Sequence, residues 1–420
     1  MMKAGYRRIE GDLPNGWKEF SLEKATKEIE EGGTPPTKKK ECFGGDIPWV
    51  VVEDIVPEIV DTREHLTGLG LKHARLWPKN TVILSFGATI GNVGIARVPL
   101  ATKQGIAGLV ANPEVTTPEF LYYLLENNTR LLVRYSHKST IAEIRPPTLR
   151  QLFFGFAPMP EQERIVATLS NIDLAIKDDR TAWSSLLELR RSLLEACFEA
   201  QEYNKRFRMV GIAQITKQWK GSQLSDYYSK DPQNGLYKPE SYYGEGTQIV
   251  RIDDFYDGHF IRTSGFQRVR LSDDEVSTYL LRPRDIVVNR VNSISFLGKS
   301  ALVPAFGEPA VFESNMMRLT FDERRLLPEF AILWLSTSFA IRYLKRRAKR
   351  AVAQASINQT DVGSLPIVDL GLEQQQRIVK VFSRLDAGID SCFNHEQALL
   401  TLKSGMARTM LSGASRFRMM

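Results

Sequence analysis

Cysteine is scarce in this chain of 420 residues. Cys42, Cys197 and Cys392 form no CxxC pair and have no histidine at ligand spacing, which excludes a disulfide framework or zinc site as the organising device and points to a reducing cytoplasm. No run approaches the roughly 18 uninterrupted apolar residues of a spanning helix, and the polar stretch Met1 to Glu10 lacks the apolar centre of a secretory leader. Catalytic signatures are missing too. The text nearest a phosphate-binding loop, Ser293 to Ser300 (SISFLGKS), has serine where the first glycine belongs. No lysine has an acid two residues before it, as a metal-dependent nuclease of the PD…(D/E)xK kind needs. Gly87, Gly91 and Gly94 have the wrong spacing for a dinucleotide fold and suit turns. No Asn-Pro-Pro-aromatic run for base amino-methylation occurs, and the histidines at 65, 73, 137, 259 and 395 are scattered. Neither a catalytic residue, a metal site nor a cofactor is expected.

What the chain has is itself, twice. Gly44 to Ile55 (GGDIPWVVVEDI) matches Gly244 to Phe255 (GEGTQIVRIDDF), each a glycine turn, a β-rich run and an acidic pair. Lys79 to Ser85 (KNTVILS) matches Arg284 to Asn289 (RDIVVN), and Pro-Glu-Phe opens a helix at 118 and again at 328. Trp17-Lys18 matches Trp219-Lys220, and Gln162 to Val166 (QERIV) matches Gln375 to Val379 (QQRIV). A repeat this long is a duplicated domain and not a solenoid unit.

Each half ends in a helix of another kind. Ile165, Leu169, Ile172, Ile176, Leu186 and Leu193 recur at the alternating spacing of a heptad seam, with Trp183 between them. An offset of 213 carries this seam onto Ile378, Phe382, Leu385, Ile389, Leu399 and Met406, with Glu396 in the place of Trp183. Arg190 and Lys403 interrupt the two copies at the same point. Each helix could pack on its own domain, but two matched seams of equal length are better explained by pairing. A domain lies between them, so the antiparallel arrangement closes most easily. The expected fold is α+β: two duplicated α/β domains separated and joined by two long helices that form an antiparallel coiled coil.

The formal charge is +7, modest for the length, but its distribution is uneven. Arg342, Lys345, Arg346, Arg347, Lys349 and Arg350 form one basic run, and Lys38, Lys39 and Lys40 a second. Such clusters suit a polyanion. Polar loops recur beside the strands of both halves and differ in their side chains. Thr34, Lys38, Lys39, Lys40, Thr89, Lys103 and Gln104 belong to the first half. Arg290, Asn292, Ser293, Lys299, Asn315, Lys345, Arg346 and Arg347 belong to the second. Arginine and lysine suit guanine edges and phosphates, asparagine and glutamine suit adenine, and hydroxyls suit either. These are the candidate DNA-binding residues, with Lys345 to Arg347 meeting phosphates.

Leu13 to Asp54 (LPNGWKEFSLEKATKEIEEGGTPPTKKKECFGGDIPWVVVED) resembles the opening of the specificity subunits of type I restriction-modification systems. The ends of both halves, PMPEQERIVATLSNID at 158 to 173 and LEQQQRIVKVFSRLD at 372 to 386, resemble that family as well. The second half departs from the pattern, with DPQNG and TQIV for GGTP and IPW. The resemblance implies target recognition domains at 1–157 and 204–370, a central spacer helix at 158–203 and a C-terminal one at 371–412. It further implies a non-catalytic reader of bipartite double-stranded DNA, with two methyltransferase subunits and restriction subunits as partners, acting in the cytoplasm and not at a membrane. The helices would fix the spacing and dock the methyltransferases. The competing readings are a stand-alone DNA-modifying enzyme with an unrecognised site and a coiled-coil assembly scaffold.

Overall fold

Both heptad-patterned segments fold as single helices in the computed structural model. The structure describes residues 13–87, 89–134, 144, 146–199, 222–256, 258–260, 262–351 and 354–413; Met1 to Glu10, His137 and the repeat element Trp219-Lys220 lie outside them. The central helix spans Met159–Glu199, with Pro160 in its first turn, where no intrahelical N–H is required. The C-terminal helix spans Leu372–Leu411. Two units are present: 1–181 with 393–420, and 182–392.

In the first unit, β1 (Thr26–Glu31), β2 (Phe43–Val50), β3 (Glu58–Ile59), β4 (His65–Leu66), β5 (Leu76–Trp77), β6 (Val82–Ser85), β7 (Val93–Ala96), β8 (Leu100–Thr102) and β9 (Ile106–Ala111) form two sheets, ordered β1-β9-β6-β7-β3 and β4-β2-β8-β5. In the second unit, β10 (Tyr228–Asn234), β11 (Tyr243–Val250), β12 (Gln267–Val269), β13 (Ile286–Asn289), β14 (Ser300–Leu302), β15 (Ala310–Phe312) and β16 (Met316–Phe321) form sheets ordered β10-β16-β13-β14 and β12-β11-β15. The one parallel pairing inside the smaller sheet recurs, with Val50 opposite Thr102 and Val250 opposite Phe312.

The duplication extends to individual hydrogen bonds. Asn80 and Arg284 enter β6 and β13 with φ of 69° and 72°, a left-handed backbone that a non-glycine residue adopts only when neighbours hold it there. The Asn80 N–H donates to the Ala96 carbonyl at 2.7 Å, and the Arg284 N–H donates to Val303 at 2.8 Å. The Pro-Glu-Phe motif is explained the same way. Glu119 accepts from Arg97 at 3.0 Å and Glu329 from Arg284 at 2.8 Å, while Phe120 and Phe330 are fully buried. Each buried ring contributes on the order of 2 kcal/mol by leaving water.

The helices opened by that motif break where the sequence periodicity runs on. The first covers Pro118–Asn127 and stops at Asn128, whose side-chain amide donates back to the Leu124 carbonyl at 2.7 Å. The second covers Pro328–Leu335, and Thr337 then caps a new helix, Ser338–Arg347, by accepting the Ala340 N–H at 3.1 Å.

The long helices pair antiparallel in both units. In the first, Ile165 and Leu169 are buried together with Ala407, Met410 and Leu411 and with the domain core; Met406 packs on the edge of that cluster. Ile172 and Ile176 are buried as well. In the second, Ile378 and Phe382 join Leu194 in the core, flanked by Leu193 and Leu385, and Leu186 lies against Gly388. Ile389 and Leu399 are half-buried, whereas Trp183 is exposed. The seams therefore serve both packing alternatives, helix on helix and helix on domain.

Gln162 and Gln375 tie each helix start to its own domain. Both are essentially buried. Gln162 accepts the Thr117 N–H through Oε1 and donates from Nε2 to the Val115 and Ala157 carbonyls at 2.7 and 2.8 Å. Gln375 accepts the Leu327 N–H and donates to Arg325 and Leu370 at 3.0 and 2.8 Å. A buried amide with all of its groups paired fixes one geometry. The repeated glutamine is therefore structural.

Candidate nucleic-acid interface

Strand polarity assembles the loops. β9 runs antiparallel to both neighbours, with Ala107 opposite Glu31 and Ile106 opposite Ser85. The start of β9 and the ends of β1 and β6 therefore share one end of the sheet, and so do loops 31–40, 86–92 and 103–105. Hydrogen bonds stitch them together. The Phe86 and Gly87 N–H groups both donate to the Gly105 carbonyl, at 2.9 and 3.1 Å. Gly105 donates to Glu31 Oε1 at 2.8 Å, and the Gln104 N–H donates to Thr34 Oγ1 at 3.4 Å. Lys38, Lys39, Lys40, Thr89, Lys103 and Gln104 are exposed on these loops.

The second unit repeats the device. Asn289 lies opposite Met316, and Asn234 opposite Met317. The Arg290 and Val291 N–H groups both donate to the Asn315 carbonyl, at 2.8 and 3.1 Å. Asn315 thus stands where the first unit has Gly105, and Lys103 and Gln104 have Glu313 and Ser314 as counterparts. Glu313 is buried and accepts the Ile252 N–H at 3.0 Å, so the charge at this turn is reversed and internally engaged.

The remaining candidates separate by what they touch. Arg290 donates to the Ser314 carbonyl at 3.0 Å, and Lys299 turns its ammonium to the Ile252 carbonyl at 3.2 Å, over the Phe255 ring. Asn292 accepts the N–H of exposed Ser293 at 2.7 Å. A small sheet orders strand 291–292 beside 355–356 and then 349–350, which puts Lys349 and Arg350 in the same sheet as residues 291–292, one strand removed. Lys345 donates to the Ser295 carbonyl at 3.1 Å, Arg347 stacks on Tyr343 at 3.6 Å, and Arg346 is exposed. The basic run and the loop, some fifty residues apart in sequence, form one surface.

The acidic pairs of the repeat have a structural role. Asp54 accepts the Val51 N–H at 3.2 Å and the Arg63 guanidinium at 2.9 Å; Asp254 accepts the Arg251 N–H at 2.8 Å and pairs with Arg262 at 3.2 Å. Burial raises the Asp254 carboxyl above its ordinary range despite those donors. Among the described residues no group of three His, Cys, Asp or Glu side chains is placed to hold a metal ion, and no helix is long and apolar enough to cross a membrane. Sequence reading missed Tyr237, which is 78% exposed on the loop after β10. Gly235, two residues before it, is the signal that could have found it.

A duplicated α+β scaffold with matched loop clusters and an antiparallel helix pair is a two-module recognition architecture. Residues 14–182 match the type I restriction modification DNA specificity domain. The type I restriction enzyme MjaIX specificity subunit of Methanocaldococcus jannaschii is 28% identical over 326 residues, 73% of this chain and 74% of that one. The EcoR124I/EcoR124II specificity subunit of Escherichia coli is 24% identical over 39% of this chain and 43% of that one. Among solved structures, the type I restriction-modification S subunit from M. genitalium has a similar fold, with a TM-score of 0.59 and 15% identity over 96% of this chain and 98% of that one. The chain is thus similar to the specificity subunits of type I restriction-modification systems, in sequence over its first half and in fold over nearly its whole length.

Proposed function

We propose that this chain is the DNA-reading, non-catalytic subunit of a type I restriction-modification complex. Each domain reads one half of a bipartite duplex target through the loops at its sheet end. The observation that carries this reading is the shared backbone pattern of the loop clusters, in which Gly105 and Asn315 accept equivalent N–H pairs while the surrounding side chains differ. One scaffold with two sets of reading groups suits two different half-sites. The domains are those expected at 1–157 and 204–370, and the long helices set the spacing between half-sites. Two methyltransferase subunits dock on them, restriction subunits complete the complex, and the assembly works in the cytoplasm.

Methylome sequencing of a host carrying the operon, with and without this gene, tests the function. A split motif that disappears with the gene is expected. Replacing residues 222 to 366 with a relative's domain should change one half-site and leave the other; a change in both, or in neither, overturns the two-reader assignment.

A further inference from the structure

The first unit's glycine turn has a counterpart in the second that the sequences conceal. The Gly32 and Gly33 N–H groups donate to the Ile106 and Thr102 carbonyls, at 2.9 Å each. The Gly235 and Leu236 N–H groups donate to the Met316 and Phe312 carbonyls, at 3.0 Å each. Gly32 and Gly235 are also pressed against the turn they face, so that a Cβ would collide with the Thr102 carbonyl in one case and the Glu313 carbonyl in the other. The correspondence is therefore Gly32 with Gly235 and Gly33 with Leu236. The next residue, Thr34 in one unit, is Tyr237 in the other.

Tyr237 is displayed from a fixed base. Its backbone is held by the two preceding hydrogen bonds and by Leu236, which is buried with Ile249, Val269 and Val311. Its own ring is 78% exposed, the most exposed of the large apolar side chains among the described residues. Two cationic side chains lie over the Tyr242 ring, Lys238 at 4.8 Å and Arg270 at 5.9 Å. A rigid aromatic side chain on a pinned loop offers contact area at little cost in conformational freedom.

We infer that Tyr237 is a specificity-determining residue of the second domain, its ring packing against a base edge of that domain's half-site. This rests on the DNA-reading function proposed above. The chemistry suits an apolar groove feature such as a thymine methyl, while Lys238 and Arg251 are held in ion pairs with Glu275 and Glu313, at 2.7 and 3.2 Å.

The test is methylome sequencing of a host expressing the full chain with its methyltransferase partner. Tyr237→Ala should relax discrimination at one or two adjacent positions of one half-site by about tenfold, within the range of a good base contact, and leave the other half-site and the melting temperature unchanged. Tyr237→Phe, which keeps the ring, should retain most of the preference. An unchanged motif in Tyr237→Ala overturns the inference, and so does a uniform fall in methylation with the motif intact, which would mark a phosphate contact. If the wild-type chain gives no gene-dependent motif, the DNA-reading function fails whatever Tyr237 does.

Discussion

Arg190 on the central helix donates from Nε to Asp386 Oδ1 on the C-terminal helix at 2.6 Å, and the repeat offset of 213 carries this pair onto Lys403 and Asp173, which meet at 2.8 Å. The two interruptions of the heptad seam are thus one ion pair made twice, once in each unit. Each pair is extended by its own domain. His259 approaches Asp386 at 3.6 Å, while Glu126 contacts Lys403 at 3.0 Å and the Tyr123 hydroxyl donates to Asp173 at 2.7 Å. A polar group in an apolar seam penalises every other register, because a slip would bury it unpaired.

Removing one partner should therefore hurt more than removing both. Arg190→Met leaves Asp386 with His259 as its remaining partner and should destabilise the second unit's helix packing, by up to about 3 kcal/mol. Arg190→Met with Asp386→Leu should recover most of the loss. Hydrogen exchange of residues 182–199 reads the effect, and equal losses in the single and double variants would show that the pair is uncoupled.

The same pairs set a pH dependence. Burial pushes the Asp386 carboxyl up, but hydrogen bonds from His259 and Arg190 outweigh it and hold it below its ordinary range. A depressed carboxylate contributes stability above its unfolded-state value of about 4 and loses it as pH falls through the lower folded value. For Lys403, burial works downward, but Glu126 and Asp173 hold the ammonium above its ordinary range. Its contribution is complete below about pH 10.4 and is lost as pH rises through the raised folded value. Acid should loosen helix packing in the second unit and alkali in the first, as read by exchange near each pH limit. Asp386→Asn should abolish the acid limb, and a limb that persisted would assign it to other groups.

Gln375→Leu leaves the Leu327 N–H and the Arg325 and Leu370 carbonyls without their partner. A loss of about 2 to 3 kcal/mol is expected, confined to the second unit. Gln162→Leu should act likewise in the first, where Thr117, Val115 and Ala157 would be left unpaired. Destabilisation of the wrong unit in either variant would contradict the tie between helix start and domain.

Arg346, Lys349 and Arg350 are exposed, the last two on the strand that pairs with 355–356. Alanine at all three should weaken binding to every sequence and reduce the salt dependence by roughly one unit for each phosphate no longer neutralised. A changed sequence preference with the salt slope intact would move these residues from phosphate to base readout.

If the helices set the gap between half-sites, lengthening them must respect their register. Arg180 donates to Glu396 at 2.7 Å, so a step of seven from Asp173 is matched by a step back of seven from Lys403. Ile176 then faces Leu400, whereas Ile389 is only its counterpart in the repeat. Four residues inserted after Ile176 and four after Leu399 add about 6 Å to each helix and keep the pairs aligned. At about 3.4 Å per base pair, the unread gap should grow by one or two base pairs with the half-sites unchanged. An active variant with the same gap would show that the helices do not set it.

Local rules settled a good deal of this protein. Heptad spacing alone marks both long helices, since an apolar stripe of that period can be buried only by helical pairing or docking. The repeat marks two like domains, and Pro-Glu-Phe marks a helix start because proline fits the first turn and the phenylalanine must be buried. Other features depend on residues far apart in the chain. Nothing near Arg190 or Lys403 says that each seam break is closed by an aspartate on the other helix, because that partner is chosen by the antiparallel register. Helix breaks at Asn128 and Thr337 are hidden in continuous periodicity, since side-chain bonds to the backbone win there over propensity. Tyr237 could not be matched with Thr34 from the letters, because what the two share is a set of backbone hydrogen bonds to a turn some seventy-five residues further on. Backbone geometry survives sequence divergence where side-chain identity does not, and only the folded chain brings those carbonyls into reach.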